Sequence, residues 1–240
     1  MHGSERWLQQ TLALTVKVQI REQITRNILA TYLGTDAGQQ VLIGHIQRGD
    51  GERIHAVIWY SDMRASTAVA DSLTGAQFLD ALNSYFECSA GAVIANDGEV
   101  LRFIGDAVLG IFPVLEGDSR VPDRNATKAA LEANSRLATL NAQRERDDKP
   151  AVDFGLALHL GEVIFGNIGV PERLEFSVTG PAANEVARME DLTKELGERI
   201  VVSAECAEAA GNGLYSLGCH ELRGVHEPKE VFGLNALRKT

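Results

Sequence analysis

The sequence predicts an α+β protein in which helices cover a mostly antiparallel sheet. Strand patterns and helix patterns alternate irregularly along the chain, and tight-turn signals stand between neighbouring strand patterns. This order is typical of an antiparallel sheet and argues against a doubly wound parallel one. Of the 240 residues, 45% are hydrophobic and 23% are charged, so the chain has enough apolar side chains for a well-buried core.

The balance of charged residues excludes one class of partner. The chain has 23 Lys and Arg residues against 33 Asp and Glu residues, which gives a formal net charge of −10. Such a chain repels a phosphate backbone, so we expect no nucleic-acid partner. Any polyphosphate ligand must be held by cationic side chains placed close to it.

Other features of the composition predict a cytoplasmic protein. Cys88, Cys206 and Cys219 lie far apart without the spacing of metal ligands, which indicates reduced thiols. No apolar run reaches the roughly 18–20 residues of a membrane span, and the N-terminus lacks a signal-peptide pattern. Residues 1–4 resemble the remnant of a tag, so we expect the natural protein to continue upstream into a sensor or regulatory domain.

Residues 1–50 are predicted to form an N-terminal helix and a linker. Apolar residues recur at every fourth position between residues 5 and 33, namely Leu8, Leu12, Val16, Ile20, Ile24 and Ile28. A single apolar stripe suits two arrangements, packing on the protein's own domain or pairing with a second helix. Residues 31–38 break the helical pattern, and the polar, glycine-containing residues 47–53 predict a turn before the first strand.

Residues 51–240 are predicted to form one further domain. Its elements are a strand (54–60), a helix (67–95), a turn (96–98), two strands around a Gly-Asp corner (99–113), a helix (124–144), a long strand (152–169), a helix (180–196), a short strand (200–203) and two final strand runs (around 215–224 and 231–234). The apolar, β-branched run at 54–60 is short enough for a central strand, and Asn-Asp-Gly at 96–98 is a hairpin-type turn signal.

Two carboxylates stand at the ends of predicted strands. Asp62 follows the first strand, and the chain then turns into a helix start that carries Ser66 and Thr67, where unpaired N–H groups attract anions. Asp106 stands at a corner between two apolar strands, where an unpaired buried carboxylate would be costly. Because Mg²⁺ takes one or two carboxylates together with phosphate oxygens, the pair indicates a metal site. Taken singly, Asp62 could equally cap a helix, and Asp106 could be an ordinary turn residue.

Asn184 and Arg188 form a third candidate. They lie four residues apart and therefore share one face of the predicted helix 180–196. An amide and a guanidinium that point the same way suit a sugar oxygen and a phosphate in a transition state. By itself, the pair could also be a solvated Asn and a surface Arg.

Together these strings resemble the catalytic domain of the class III nucleotidyl cyclases over about residues 54–234. The strand-end Asp appears here in SDMRAST (61–67), the Gly-Asp hairpin in FIGD (103–106), the Asn-x-x-x-Arg pattern in NEVAR (184–188) and the Leu-Arg-Gly turn in ELRG (221–224). Order, spacing and flanking apolar strands all agree with the family pattern. The resemblance implies a ferredoxin-like, mostly antiparallel sheet covered by helices, with the catalytic domain at residues 51–240.

The resemblance also implies a role for each candidate residue. Asp62 and Asp106, with the backbone carbonyl of Met63, would hold two Mg²⁺ or Mn²⁺ ions per site. Asn184 would orient the ribose, and Arg188 would stabilise the transition state. The implied substrate-binding residues are Arg223 at the triphosphate, Ser66 and Thr67 in the phosphate-binding turn, and Arg102 and Ser177 at the base.

The family builds each site from two protomers, so the resemblance implies a homodimer with two equivalent sites. One chain would supply the pair of aspartates. Its partner would supply Arg102, Ser177, Asn184 and Arg188.

Three positions depart from the family pattern and bear on the substrate. Ser66 replaces a Phe, Arg102 replaces the base-reading Lys, and Ser177 stands where adenylyl cyclases have Asp or Thr. Arg102 donates hydrogen bonds and cannot accept those that guanine offers, so ATP is favoured over GTP. Because Ser177 has a hydroxyl group, this position resembles that of the adenylyl cyclase subgroup that has Thr there.

The expected activity is the conversion of ATP to 3′,5′-cyclic AMP and pyrophosphate. Alternatives are a guanylyl cyclase and a degenerate cyclase that binds nucleotide as a regulatory module, since three positions depart from the pattern. A diguanylate cyclase-like enzyme is not favoured, because the Gly-Gly-acidic-acidic-Phe turn of that family is absent from the sequence.

Overall fold

An eight-stranded sheet forms the centre of the protein in the computed structural model, which describes residues 2–44, 49, 51–114, 120–170, 172–210, 213–225 and 227–238. The helices are α1 (His2–Leu33), α2 (Thr35–Leu42), α3 (Ser66–Ser72), α4 (Gly75–Ala95), α5 (Arg120–Arg146), α6 (Pro181–Glu195) and α7 (Ala204–Ala210). The strands are β1 (Gly51–Met63), β2 (Glu99–Ile104), β3 (Ala107–Pro113), β4 (Phe154–Val170), β5 (Arg173–Thr179), β6 (Ile200–Ser203), β7 (Leu214–His220) and β8 (Lys229–Leu234).

The sheet is mostly antiparallel, as the sequence predicts. Its strands lie in the order β2-β3-β1-β4-β6-β8-β7, and β5 pairs with β4. The ladder between β4 and β6 is parallel, whereas the other described ladders are antiparallel. The predicted α+β fold is therefore confirmed.

Helices cover both faces of the sheet, so its central strands are buried on both sides. In β1, Val57 and Trp59 belong to the core beneath α4 and α5, while Ala56 and Ile58 belong to the core beneath α6. Alternate residues of a strand point to opposite faces, so a strand covered on both sides needs apolar residues at every position. This explains the continuous apolar run at 56–59.

The prediction of a single helix at 67–95 is wrong. The chain forms α3 and α4 there, with a break at Leu73 and Thr74. Thr74 and Gln77 form a capping box, in which the Gln77 amide donates to Thr74 Oγ1 (3.3 Å) and the Thr74 amide donates to Gln77 Oε1 (3.0 Å). This pairing satisfies free N–H groups and starts a new helix, although the helical apolar pattern continues across the break.

Several element boundaries also differ from the prediction. Residues 51–53, predicted as part of a turn, begin β1, and residues 47, 48 and 50 of that predicted turn lie outside the described residues. The break predicted over 31–38 is confined to Gly34, whose φ of 89° suits glycine. The short elements α2, β5 and α7, of eight, seven and seven residues, were not predicted.

The apolar stripe of α1 is exposed. The exposed fractions of Leu12, Val16, Ile20, Ile24 and Ile28 are 66%, 43%, 53%, 52% and 52%. The side chain of Leu8 lies outside the described residues. The interpretation in which this stripe packs on the protein's own domain is therefore wrong for the residues that the structure describes, and pairing with a second helix stays a prediction.

The cysteines and the helices bear on two other expectations. Cys88 and Cys206 are buried and Cys219 is exposed, and all three are free thiols. In the described parts of the chain, every helix is too short or too polar to cross a membrane. The division of the chain into residues 1–50 and 51–240 stays a prediction.

Candidate active site

The two predicted metal carboxylates lie at the same end of the sheet. β1 pairs with β3 so that Asp62 is opposite Ala107, the first residue after the corner that carries Asp106. Gly105 has a positive φ of 63°, which glycine adopts without strain and which allows the corner to be tight. The backbone amide of Met63 donates to the carbonyl oxygen of Asp106 over 3.3 Å, so the two strand ends are joined directly.

Helix α6 carries Asn184 and Arg188 beside these carboxylates. Pro181 begins the helix, where a missing N–H has no cost, and Val186 and Met189 bury its inner face against the sheet. Asn184 and Arg188 lie one turn apart on the outer side of this buried face, with Asn184 exposed and Arg188 half-buried. The predicted shared face of the pair is present.

One cleft of about 360 Å³ brings the four side chains together within a single chain. Its lining residues are Tyr60, Asp62, Ile104, Asp106, Ala107, Asn184, Ala187, Arg188, Glu190 and Asp191. A cleft lined by two carboxylates, an amide and a guanidinium can hold a cation and an anion side by side. This is the arrangement that transfer of a phosphoryl group needs.

The charges at the cleft fit a divalent cation. Burial raises the pKa of Asp62 above its ordinary value, the negative charge of Asp106 raises it further, and the Lys194 ammonium partly offsets both effects. Two carboxylates that repel one another stabilise a bound cation. Within the described residues, no group of three or more His, Cys, Asp or Glu side chains is arranged to hold a metal alone. The site therefore suits an ion such as Mg²⁺, which takes its other ligands from water and phosphate.

A second, larger cleft of about 670 Å³ lies on the other side of Asn184 and Arg188. It is lined by Thr179, Gly180, Pro181, Asn184, Glu185, Arg188, Gly224, Val225, Glu227 and Lys229. A Cβ atom added to Gly224 would lie 3.7 Å from both terminal nitrogens of Arg188, so the turn after β7 runs along this guanidinium. Arg223 precedes Gly224 in that turn and is exposed.

The two residues predicted at the base lie apart from the aspartates. Neither Arg102 nor Ser177 is among the residues that line the cleft of Asp62. Arg102 forms an ion pair with Glu175 of β5, with 3.0 Å between Nε and Oε1. Ser177, also on β5, is 1% exposed, and its Oγ has no hydrogen-bond partner among the described residues. A buried hydroxyl without a partner is costly unless a ligand supplies one.

Ser66 and Thr67 form the first turn of α3, a helix of seven residues. Ser66 is half-buried and Thr67 is exposed. Neither residue lines the cleft with the two aspartates, so their role at phosphate stays a prediction.

Four charged residues beside the predicted site residues were not predicted from the sequence, namely Glu175, Glu190, Asp191 and Lys194. Lys194 Nζ lies 3.5 Å from Asp62 Oδ2 and 3.9 Å from Glu190 Oε2. Glu190 is 2% exposed, and burial raises its pKa to about 7. Glu190 and Lys194 are four residues apart, a spacing typical of ordinary pairs on a helix surface, so only the fold indicates their place beside Asp62. Glu175 was missed together with β5, although the alternation of polar and apolar residues over 173–179 is a strand signal that could have found it.

Comparison with known proteins identifies the family of this chain. The family model described as the adenylate and guanylate cyclase catalytic domain matches residues 52–232. The chain therefore belongs to the class III adenylyl and guanylyl cyclase catalytic domain family, and the resemblance stated above is confirmed.

The individual relatives and solved structures have low sequence identity with this chain. An uncharacterized protein of Mycobacterium tuberculosis is 29% identical over 215 residues, which are 88% of this chain and 37% of that protein. The terminal-differentiation specific adenylate cyclase of Dictyostelium discoideum is 29% identical over 170 residues, covering 71% of this chain and 8% of that protein. The structure of a bacterial light-regulated adenylyl cyclase has a TM-score of 0.79 at 24% identity and covers 97% of this chain and 66% of that chain, which supports the fold.

Proposed function

We propose that the protein is an adenylyl cyclase that converts ATP to 3′,5′-cyclic AMP and pyrophosphate. The observations that carry the proposal are the two aspartates, which the hydrogen bond between Met63 and Asp106 holds at one end of the sheet, and the Asn184–Arg188 pair on one face of α6, which two chains can combine in one site. These are a pair of metal-binding carboxylates and a pair of side chains suited to ribose and phosphate. Members of the same family act on adenine or guanine nucleotides, and the Dictyostelium relative is named as an adenylate cyclase.

Each residue of the proposed site has a chemical task. Two Mg²⁺ or Mn²⁺ ions held by Asp62, Asp106 and the Met63 carbonyl would supply Lewis-acid chemistry at the ribose hydroxyl and the phosphates. Asn184 orients the ribose so that its 3′-oxygen is in line with the α-phosphorus. Arg188 offsets the negative charge on the phosphates during the displacement, and Arg223 binds the outgoing pyrophosphate. Ser66 and Thr67 contribute to the phosphate-binding turn.

We propose that the working enzyme is a homodimer whose sites combine residues of two chains. In a single chain, the residues that line the cleft of Asp62 include neither Arg102 nor Ser177. Phe103 and Ile104 are the last two residues of β2, before the corner at Gly105, and they are 52% and 40% exposed. A second chain would cover these apolar side chains and bring its own Arg102, Ser177, Asn184 and Arg188 to the aspartates.

The proposal also covers location and the rest of the natural protein. Three free thiols support a cytoplasmic location. The chain spans about 37% of the length of its mycobacterial relative, which supports a longer natural protein, and an upstream regulatory domain stays a prediction.

The α1 stripe gives the first prediction. We expect Ile20→Glu to weaken dimerisation roughly tenfold or more, because it places a charge where an apolar side chain would be buried against a second helix. Deleting residues 1–40 should have the same effect. Activity should fall in dilute protein and recover at high protein concentration. Sedimentation and activity across a concentration series measure both effects.

Thr11→Glu is the matched control, since it adds the same charge on the opposite face of the same exposed helix. If neither Ile20→Glu nor the deletion changes the dimer affinity, α1 has no part in dimerisation.

The base-binding pair gives the second prediction. We expect the double exchange of Arg102→Glu with Glu175→Arg to keep the ion pair but replace a hydrogen-bond donor at the base by an acceptor. Because guanine offers N1–H and amino donors, the ratio of kcat/KM for ATP to that for GTP should fall about tenfold or more. Glu175→Gln, which keeps Arg102, is the control. An unchanged ratio would show that Arg102 does not read the base.

The degenerate cyclase is the second candidate function, and the departures at Ser66, Arg102 and Ser177 favour it. A degenerate domain binds ATP without turning it over. Fluorescent-nucleotide binding and cyclic AMP formation, measured on the same purified protein with Mn²⁺, separate the two functions. We expect both binding and turnover. Binding without turnover would indicate that the domain is a degenerate cyclase that acts as a regulatory module.

A further inference from the structure

Lys194 lies close to both Asp62 and Glu190, two carboxylates at the cleft. In the proposed reaction, Asp62 is a metal ligand and Glu190 is not. Lys194 lies in the last turn of α6, and its side chain is 47% exposed. Its ammonium nitrogen is 3.5 Å from Asp62 Oδ2 and 3.9 Å from Glu190 Oε2. The ammonium therefore stands beside an oxygen of Asp62, one of the two residues proposed to bind the metal ions.

The cleft has an excess of negative charge around this ammonium. Asp62, Asp106, Glu190 and Asp191 all line it, whereas Arg188 is the one cation among the described lining residues. Lys194 is therefore a local counter-charge to this acidic group. A divalent ion that binds Asp62 would meet a positive charge already in place.

We propose that Lys194 is a built-in counter-cation of Asp62 that competes with the divalent ion and so limits how tightly this enzyme holds its metal. The inference rests on the proposed function, which makes Asp62 a metal ligand. An ammonium is a compact charge on a flexible stem, and this stem is half exposed, so the group can leave Asp62 without disturbing the core.

Glu190 gives the displaced ammonium a second partner. Glu190 Oε1 accepts a hydrogen bond from Thr193 Oγ1 over 3.2 Å, and Glu190 is almost fully buried. Gly155 of β4 lies directly beneath, where a Cβ atom would overlap both Glu190 Oε1 and Thr193 Oγ1. Packing therefore fixes Glu190 in place. Lys194 can move towards it when an ion occupies Asp62, so the exchange needs no larger rearrangement.

The test is the binding of Mn²⁺ alone, without nucleotide, measured from the electron paramagnetic resonance signal of the free ion at low ionic strength. Lys194→Met keeps the apolar stem and removes the charge. We expect it to bind Mn²⁺ about two- to fivefold more tightly than the wild type, the range that a partly exposed ion pair provides. Lys194→Arg keeps the charge and should bind Mn²⁺ like the wild type.

Lys149→Met is the matched control, because Lys149 is 46% exposed and pairs with Asp80 over 3.1 Å, away from the cleft. Its Mn²⁺ affinity should be unchanged. Asp62→Asn should lose most of the binding. If Asp62→Asn loses binding but Lys194→Met binds no more tightly than the wild type, the inference is overturned and the proposed function stands. If Asp62→Asn binds Mn²⁺ like the wild type, both are overturned.

Discussion

Asp62→Ala and Asp106→Ala are each expected to reduce cyclic AMP formation to below a few percent of the wild-type rate. Each variant removes one of the two carboxylates at the strand ends, whereas the other two carboxylates of the cleft, Glu190 and Asp191, lie on α6, so the proposed metal ions would no longer be held against the phosphates. Both aspartates are only half-buried, so the fold should be unaffected. Asp106→Ala also removes the negative charge that, in addition to burial, raises the pKa of Asp62. Initial rates with Mn²⁺ and ATP, together with thermal unfolding curves, test both expectations.

Asp147→Ala is the control for these variants, since Asp147 is an exposed aspartate after α5 whose contact is with Gln143. It should retain full activity. Turnover above a few percent in a folded Asp106→Ala protein would contradict the assignment of the metal carboxylates.

Arg188→Ala is expected to lower kcat by about 100-fold or more, because a preorganised charge at the developing oxyanion contributes on that scale. The proposed two-chain site adds a stronger expectation. Arg188→Ala and Asp106→Ala chains are both inactive, but a mixed dimer has one intact site. An equal mixture should recover about a quarter of the wild-type activity, because half of the dimers are mixed and each mixed dimer has one intact site out of two.

The cleft inside a single chain makes this mixing experiment decisive. Asp106 and Arg188 line the same cleft of one chain, so a site confined to that chain would need both from the same protomer. In that case the mixture would show no recovery. A different affinity tag on each variant would establish that mixed dimers had formed. Mixed dimers without activity would contradict the shared site.

The sequence was a good guide to the strand ends and a poor guide to the surroundings of the site. Asp62 and Asp106 could be predicted to lie on one sheet because each comes at the end of an apolar strand pattern, Asp62 just before a turn and Asp106 within one. Those local signals survive in the fold. The mostly antiparallel sheet and its covering helices could likewise be predicted from the order of strand and helix patterns along the chain, and both are confirmed.

The partners of these residues depend on contacts between distant elements, which leave no local signal. Lys194 contacts Asp62 across 132 positions of the chain, through the packing of α6 on β1. Glu175 meets Arg102 through β5, whose seven residues alternate between polar and apolar types, a strand signal that the sequence-based prediction missed. The break at Thr74 was missed for the opposite reason, since its local capping signal was overruled by a long apolar pattern.

The central claim is that this chain makes cyclic AMP from ATP in preference to cyclic GMP from GTP. The most direct measurement supplies the purified protein with equal concentrations of ATP and GTP and Mn²⁺, and quantifies both cyclic products and pyrophosphate by chromatography. Asp106→Ala serves as the blank. We expect cyclic AMP to be the major product, with one pyrophosphate released for each cyclic nucleotide formed. Predominant cyclic GMP, or no cyclic product from either nucleotide, would contradict the claim.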